Sequence, residues 1–129
     1  MRIHSLEVSG FLAYGGTERI DFDRLTESGF FLIHGETGAG KTTLLDAIAF
    51  AIYGNLPGAR SGIKTLRSDH ADAATPTHVV LDATVGSERV RVKRSPKYDR
   101  PKLRGSGTTP EPMKVTLERW IGGQWEPFS

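Results

Sequence analysis

The chain has no cysteine among its 129 residues. That excludes a disulfide framework and thiolate metal sites, and leaves nothing that argues for secretion. Long apolar runs are also missing: the longest, Ala47 to Tyr53, covers seven residues, against the roughly 20 needed to span a bilayer. The opening Met1-Arg2-Ile3-His4-Ser5 has no apolar signal core behind it. A cytoplasmic protein with no membrane partner fits these absences. The histidines, His4, His34, His70 and His78, lack metal-ligand spacing and read as strand or loop residues. There is no internal repeat, and only the stretch from Arg100 to Pro112 approaches low complexity.

What is present begins with composition. A hydrophobic content of 37% over 129 residues supports one domain with a core that buries roughly two-thirds of the unfolded surface. The net charge of +2 conceals an asymmetry. Arg89, Arg91, Lys93, Arg94, Lys97, Arg100, Lys102 and Arg104 stand against the single acid Asp99, a local balance of +7 that leaves −5 on the rest of the chain. Such a strip marks a candidate surface for polyanions. Two readings of it stay open: a solvated edge and loop, because Arg89, Arg91 and Lys93 alternate with Val90 and Val92 as on an amphipathic strand, or contact with DNA phosphates. Phosphate contacts of this kind position the nucleic acid and do not read its sequence.

The sharpest motif is Gly35-Glu36-Thr37-Gly38-Ala39-Gly40-Lys41-Thr42, a match to the phosphate-binding loop G-x-x-x-x-G-K-[ST]. The apolar run Phe30-Phe31-Leu32-Ile33 reads as a buried strand feeding it, and Thr43 to Tyr53 as the helix leaving it. Glycines let backbone N–H groups close around phosphate oxygens. Lys41 then meets the β- and γ-phosphates, Thr42 offers its hydroxyl to Mg²⁺, and the helix N-terminus adds its dipole. No Asn-Lys-x-Asp guanine reader follows, so the expected nucleotide is ATP. Hydrolysis needs a further acid on a hydrophobic strand end. Val79-Val80-Leu81-Asp82 is the one candidate, and it is set aside because Ala83-Thr84-Val85 continues the strand, which makes Asp82 an outward-facing residue.

Around the motif, period-two stretches predict a hairpin of Arg2 to Phe11 and Glu18 to Phe22 about a Tyr14-Gly15-Gly16 turn. Further strands are expected over Thr77 to Val85, Glu88 to Arg94 and Met113 to Trp120, with a last hairpin through Gly122-Gly123 to Trp125. Gly54 stands where a left-handed residue ends the helix. Asn55 to Pro76, carrying Arg60, Lys64 and Arg67, is expected as ordered loop with one short helix, and Ser95 to Pro112 as a long loop. Trp120 and Trp125 read as a hairpin packing pair in preference to a base-stacking platform.

Ile3-x-x-Leu6-x-Val8-x-Gly10-Phe11, Ile20-Asp21-Phe22, the phosphate loop running on through Thr43-Leu44-Leu45-Asp46-Ala47-Ile48, and Leu66-Arg67-Ser68-Asp69 together resemble the SbcC family. Its members are the SMC-like, ABC-type ATPase subunits of bacterial SbcCD nuclease complexes. The resemblance covers almost the whole chain. It implies an α/β fold: the N-terminal lobe of a P-loop ATPase head, residues 1–129, with a mostly antiparallel sheet over the phosphate-loop strand and helix. It further implies ATP and Mg²⁺ bound by Gly35, Glu36, Thr37, Gly38, Ala39, Gly40, Lys41, Thr42 and Thr43, with Lys41 and Thr42 serving catalysis. The expected partners are a C-terminal lobe, a second head, an SbcD-like nuclease subunit and double-stranded DNA. The glutamine loop, coiled coil, signature motif and magnesium acid of such proteins are expected outside this segment. A RecF-like or generic ABC-type ATPase, and a non-hydrolysing nucleotide-gated DNA-binding module, are the alternative readings.

Overall fold

A computed structural model describes residues 1–24, 38–56, 65–101 and 105–128, with the side chains of 38–42 and 101 left out of the description. The expected strand Phe30 to Ile33, together with Arg60 and Lys64, lies outside the described residues. Two strands open the chain, β1 (Arg2–Phe11) and β2 (Tyr14–Asp21). Helix α1 (Gly38–Tyr53) is the next element among the described residues. It is followed by β3 (His78–Val85), β4 (Glu88–Ser95), β5 (Tyr98–Pro101), β6 (Thr108–Glu111), β7 (Lys114–Ile121) and β8 (Gln124–Pro127). Among the described residues six strands form one sheet in the order β2-β1-β3-β4-β7-β8, and each neighbouring pair of these is antiparallel. An α/β lobe dominated by an antiparallel sheet is therefore the fold, as the sequence led us to expect.

Alternation divides the sheet into two faces. Leu6 faces Leu81 and Val8 faces Val79 across β1 and β3, and Ala83 faces Val90 across β3 and β4. These apolar positions meet α1 through Leu44, Ala47 and Ala51, which recur at helical spacing. Alanines at two of the three contact turns let the helix lie close to the sheet. Phe50 completes the seam against Phe11, with ring centroids 5.5 Å apart. The helix stops at Gly54, whose φ of +81° is open to glycine without Cβ strain and whose N–H closes on the Phe50 carbonyl at 2.8 Å.

Three local expectations are corrected. The first hairpin turns at Leu12–Ala13, with Leu12 at φ +48°, and Tyr14 to Gly16 are already strand. Glycine is required at position 15 for a different reason: a Cβ there would lie 2.6 Å from the His70 carbonyl oxygen. The segment Ser95 to Pro112 is not one loop, because β5 and β6 pair within it as a separate two-stranded sheet. Their four-residue lengths and prolines gave no readable period. The helix also begins five residues earlier than Thr43.

Among the described residues, the stretch after α1 holds no helix and is stapled to the hairpin end instead. Leu12 N–H donates to the Leu66 carbonyl (2.9 Å), Ser68 N–H to the Gly10 carbonyl (2.8 Å), and Thr77 Oγ1 to the same Gly10 oxygen (3.0 Å). Arg67 binds the loop from inside. Its guanidinium donates to the Thr75 carbonyl (2.7 Å), Thr77 Oγ1 (2.8 Å) and the Asp72 carbonyl (2.9 Å), and stands 5.2 Å from the Tyr98 ring centre. Asp72 caps the turn by accepting from the Ala74 and Thr75 N–H groups and the Thr75 hydroxyl. The Thr75 hydroxyl, first among these donors, holds its carboxyl below the usual range.

Candidate nucleotide site and charged sheet face

Gly35, Glu36 and Thr37 lie outside the described residues. Gly38, Ala39, Gly40, Lys41 and Thr42 form the opening of α1, so Lys41 and Thr42 belong to the first turns of a 16-residue helix. The first N–H groups of such a helix have no partner within it, and they carry the positive end of its dipole. No acidic side chain stands in that first turn to compete for them. Thr43, the last residue of the expected set, is buried. The helix axis is anchored at the far end as well. Arg94 Nε donates to the Ala51 carbonyl at 3.2 Å, a cation at the helix C-terminus where the dipole favours one.

The eight cations of the basic strip do not share one surface. Arg89, Arg91 and Lys93 project from β4 on the sheet face opposite α1, as alternation requires, whereas Arg94 turns to the helix side. Lys97 is exposed beyond β4. Arg100 pairs with Glu111 across the small sheet and draws that carboxyl below its ordinary value. Lys102 and Arg104 lie outside the described residues.

The face opposite α1 is built in rows of registered residues. One row runs Arg19, Glu7, Val80, Lys93, Thr116, and the next runs Ser5, Asp82, Arg91, Glu118. Two arginines in it are committed to carboxylates. Arg89 grips Asp82 with two bonds of 3.0 and 2.8 Å, and Arg91 meets Glu118 Oε1 through Nε (2.9 Å) and Nη2 (2.7 Å). The Asp82 bond is what raises Arg89 above its ordinary pKa. Asp82 thus faces away from the helix, as expected for a strand residue, but it is buried and not open to solvent, its oxygens occupied by the Arg89 guanidinium.

At the end of this face Trp120 and Trp125 are cross-strand partners, packed edge to face with centroids 5.2 Å apart. They form the expected hairpin pair. Arg91 lies over Trp125 at 4.4 Å, and Arg89 stands 5.7 Å from Trp125 and 5.9 Å from Trp120. Sheet rows, ion pairs and indoles enclose an open concavity of about 620 Å³. The sequence signalled the alternation that makes this face, but the two arginine–carboxylate pairs depend on cross-strand register and were missed. The structural part of Arg67 was missed as well, because its bonds to Asp72, Thr75 and Thr77 depend on the path of an irregular loop.

A helix opening on Gly-Lys-Thr and laid against an antiparallel sheet is an architecture of nucleotide-binding proteins, and comparison with known sequences agrees. Residues 5–119 match the family model described as AAA domain, and the chain belongs to that family. It is 37% identical over 117 residues to the SbcC component of the nuclease SbcCD from Vibrio cholerae, which takes in 91% of this chain and 12% of the relative. It is 43% identical over 90 residues to the protein of the same name from Lactococcus lactis, 70% of this chain and 8% of the relative. A probable DNA double-strand break repair Rad50 ATPase of Aquifex aeolicus is 41% identical over 96 residues, 73% of this chain and 9% of the relative. The chain therefore spans about a tenth of the length of the curated relatives it matches. Among the described residues no helix is long and apolar enough to cross a membrane.

Proposed function

We propose that this chain is the ATP-binding N-terminal lobe of a cytoplasmic DNA-repair ATPase head, whose nucleotide cycle controls a partner nuclease of the SbcD kind on double-stranded DNA. The observation that carries the reading is the run from Gly35 to Thr42 at the mouth of α1, where Lys41 and Thr42 fall in the helix's opening turns. Backbone N–H groups from Gly35 to Thr43 would surround the phosphates, Lys41 would neutralise the β- and γ-phosphate oxygens, and the Thr42 hydroxyl would ligate Mg²⁺. ATP bound there supplies the phosphoryl group whose charge Lys41 stabilises as it leaves.

In this reading the water-positioning acid comes from another part of the protein, a reading supported by the strand acid Asp82 being held by Arg89 on the face away from α1. A C-terminal lobe and a second head complete the site in this reading. Among the described residues of the strip, Lys93 and Lys97 are exposed cations available to DNA phosphates, with Arg89 and Arg91 available only through their ion pairs. The test is ATP turnover by the full-length protein, wild type against Lys41→Ala. Turnover should fall at least a hundredfold in the variant and rise more than linearly with protein concentration as heads dimerise. Turnover unaffected by Lys41→Ala in a folded protein would refute the assignment.

A further inference from the structure

One apolar row crosses the sheet on the α1 side. Leu6 on β1 faces Leu81 on β3, Leu81 faces Val92 on β4, and Val92 faces Leu117 on β7, whose carbonyl accepts from the Phe128 N–H (2.9 Å) just past β8. The row is uniform in chemistry but not in burial. Leu6 and Leu81, under α1, are 0% and 2% exposed, whereas Leu117 and Phe128, beyond the helix, are each 39% exposed. Val115, on the same face of β7, is 56% exposed. A solvated face of an antiparallel sheet alternates to polar residues, and β7 does so away from α1 through Thr116 and Glu118. Toward α1 it presents Val115, Leu117 and Ile121, all exposed. The helix is therefore narrower than the apolar surface the sheet offers it.

The uncovered part has a defined shape. A slot of about 240 Å³ lies between the flank of α1, at Ala51 and Ile52, and Val90, Val92, Val115 and Leu117 of the sheet. From β4 to the line of β8 is two strand spacings, roughly 10 Å, which is the distance at which a second helix packs beside a first. Arg94 is the one polar side chain in the lining, and its Nε is committed to the Ala51 carbonyl. An occupant must therefore satisfy its own backbone groups, as a helix does and an extended segment does not. The margin of the slot is positive. Arg119 faces Val90 on this side, and its Nε is buried with no hydrogen-bond partner among the described residues, while its cross-strand neighbour Glu126 accepts from Gln124. We propose that this strip seats an amphipathic helix from the rest of the same polypeptide, lying beside α1 with its apolar stripe on Val92, Val115 and Leu117 and an acidic side chain at Arg119. The proposal rests on the reading of this chain as one lobe of a larger ATPase head. The relatives are long enough to supply such a helix, since the chain spans about a tenth of their length. A tethered helix meets the strip at high effective concentration, so apolar surface that would draw separate molecules together is closed within one. Resting on Ala51 and Ile52, it ties the remainder of the head to the helix that opens on Lys41.

The experiment uses the full-length ATPase subunit, without nuclease or DNA. Val115→Cys and Thr116→Cys place thiols on consecutive residues of β7 that point to opposite faces, both exposed among the described residues, in a segment with no cysteine of its own. Maleimide labelling, read on the peptide that carries each thiol by mass spectrometry, should be roughly tenfold or more slower at position 115 than at 116, and the ratio should not change on dilution. Equal rates would overturn the proposal. Protection of position 115 that disappears on dilution would give the strip to a second copy, and would overturn it as well. Benzoylphenylalanine in place of Val115 then identifies the occupant after irradiation. The expected product is a crosslink within one polypeptide to a peptide outside residues 1–129, with apolar residues at helical spacing and at least one Asp or Glu. A crosslink between copies, or to residues 25–37 or 57–64 of this chain, would overturn the proposal. Failure of the larger reading looks different: ATP turnover indifferent to Lys41→Ala, with position 115 still protected, would remove the nucleotide assignment and leave the docked helix standing.

Discussion

The two faces of the central sheet are made by the same strands, yet they are held by different physics. On the α1 side Leu6, Val8, Val79, Leu81 and Ala83 are excluded from water and packed on Leu44, Ala47, Phe50 and Ala51. On the other side Glu7, Asp82, Arg91, Lys93 and Glu118 occupy the interleaved positions, and carboxylate–guanidinium pairs take the place of packing. Burial is cumulative and costly to undo, whereas part-exposed ion pairs contribute little to stability and much to the shape and charge of a surface. Stability should therefore reside on the helix face and recognition on the other.

The largest expected effect comes from emptying the helix face. Phe50→Ala removes the ring that meets Phe11 and should cost about 3–5 kcal/mol, read as a lowered denaturation midpoint with an unchanged m-value. A mutant within about 1 kcal/mol of wild type would mean that the core does not depend on this seam. Arg94→Ala is next. It strips the cation from the end of α1 and should cost on the order of 1 kcal/mol, without changing the salt dependence of DNA binding, because Arg94 points to the helix. A changed salt slope would return Arg94 to the polyanion surface.

On the charged face a double-mutant cycle between Arg91 and Glu118 should give a coupling below about 1 kcal/mol. A value of several kcal/mol would contradict the contrast between faces. The smallest effect concerns acid. Asp23, lowered chiefly by its hydrogen bond to His4, and Asp72, lowered chiefly by the Thr75 hydroxyl, have folded pKa values below their unfolded ones. Their contribution is complete above the ordinary carboxylate range and is lost as pH falls through the depressed values. Thermal midpoints measured down to that range should decline less steeply for Asp72→Asn than for wild type, and equal slopes would remove Asp72 from the account.

How much of this could be read beforehand follows from how local each signal is. Period-two alternation is a property of neighbouring residues, so β1, β3, β4, β7 and β8 were legible, and so was the division that puts Arg89, Arg91 and Lys93 on one face. Gly54 was legible because helix termination is local. Gly15 was misread as a turn residue because its need for space comes from His70, which stands 55 positions away. The start of α1 was misplaced because Gly38, Ala39 and Gly40 have the composition of a loop. The pairing of Arg89 and Arg91 with acids required register, and register is tertiary information. The nucleotide motif is a local signal, since eight consecutive residues carry it, and Gly35, Glu36 and Thr37 of it lie outside the described residues.

The central claim is that the residues opening α1 hold a triphosphate, and it is tested most directly by calorimetric titration of the full-length protein with Mg-ATP and, separately, with adenosine. Lys41→Ala should weaken Mg-ATP binding by at least tenfold and leave adenosine affinity unchanged, because the lost charge faces only the β- and γ-phosphates. Equal affinities for Mg-ATP in the wild type and a folded Lys41→Ala variant would contradict the account.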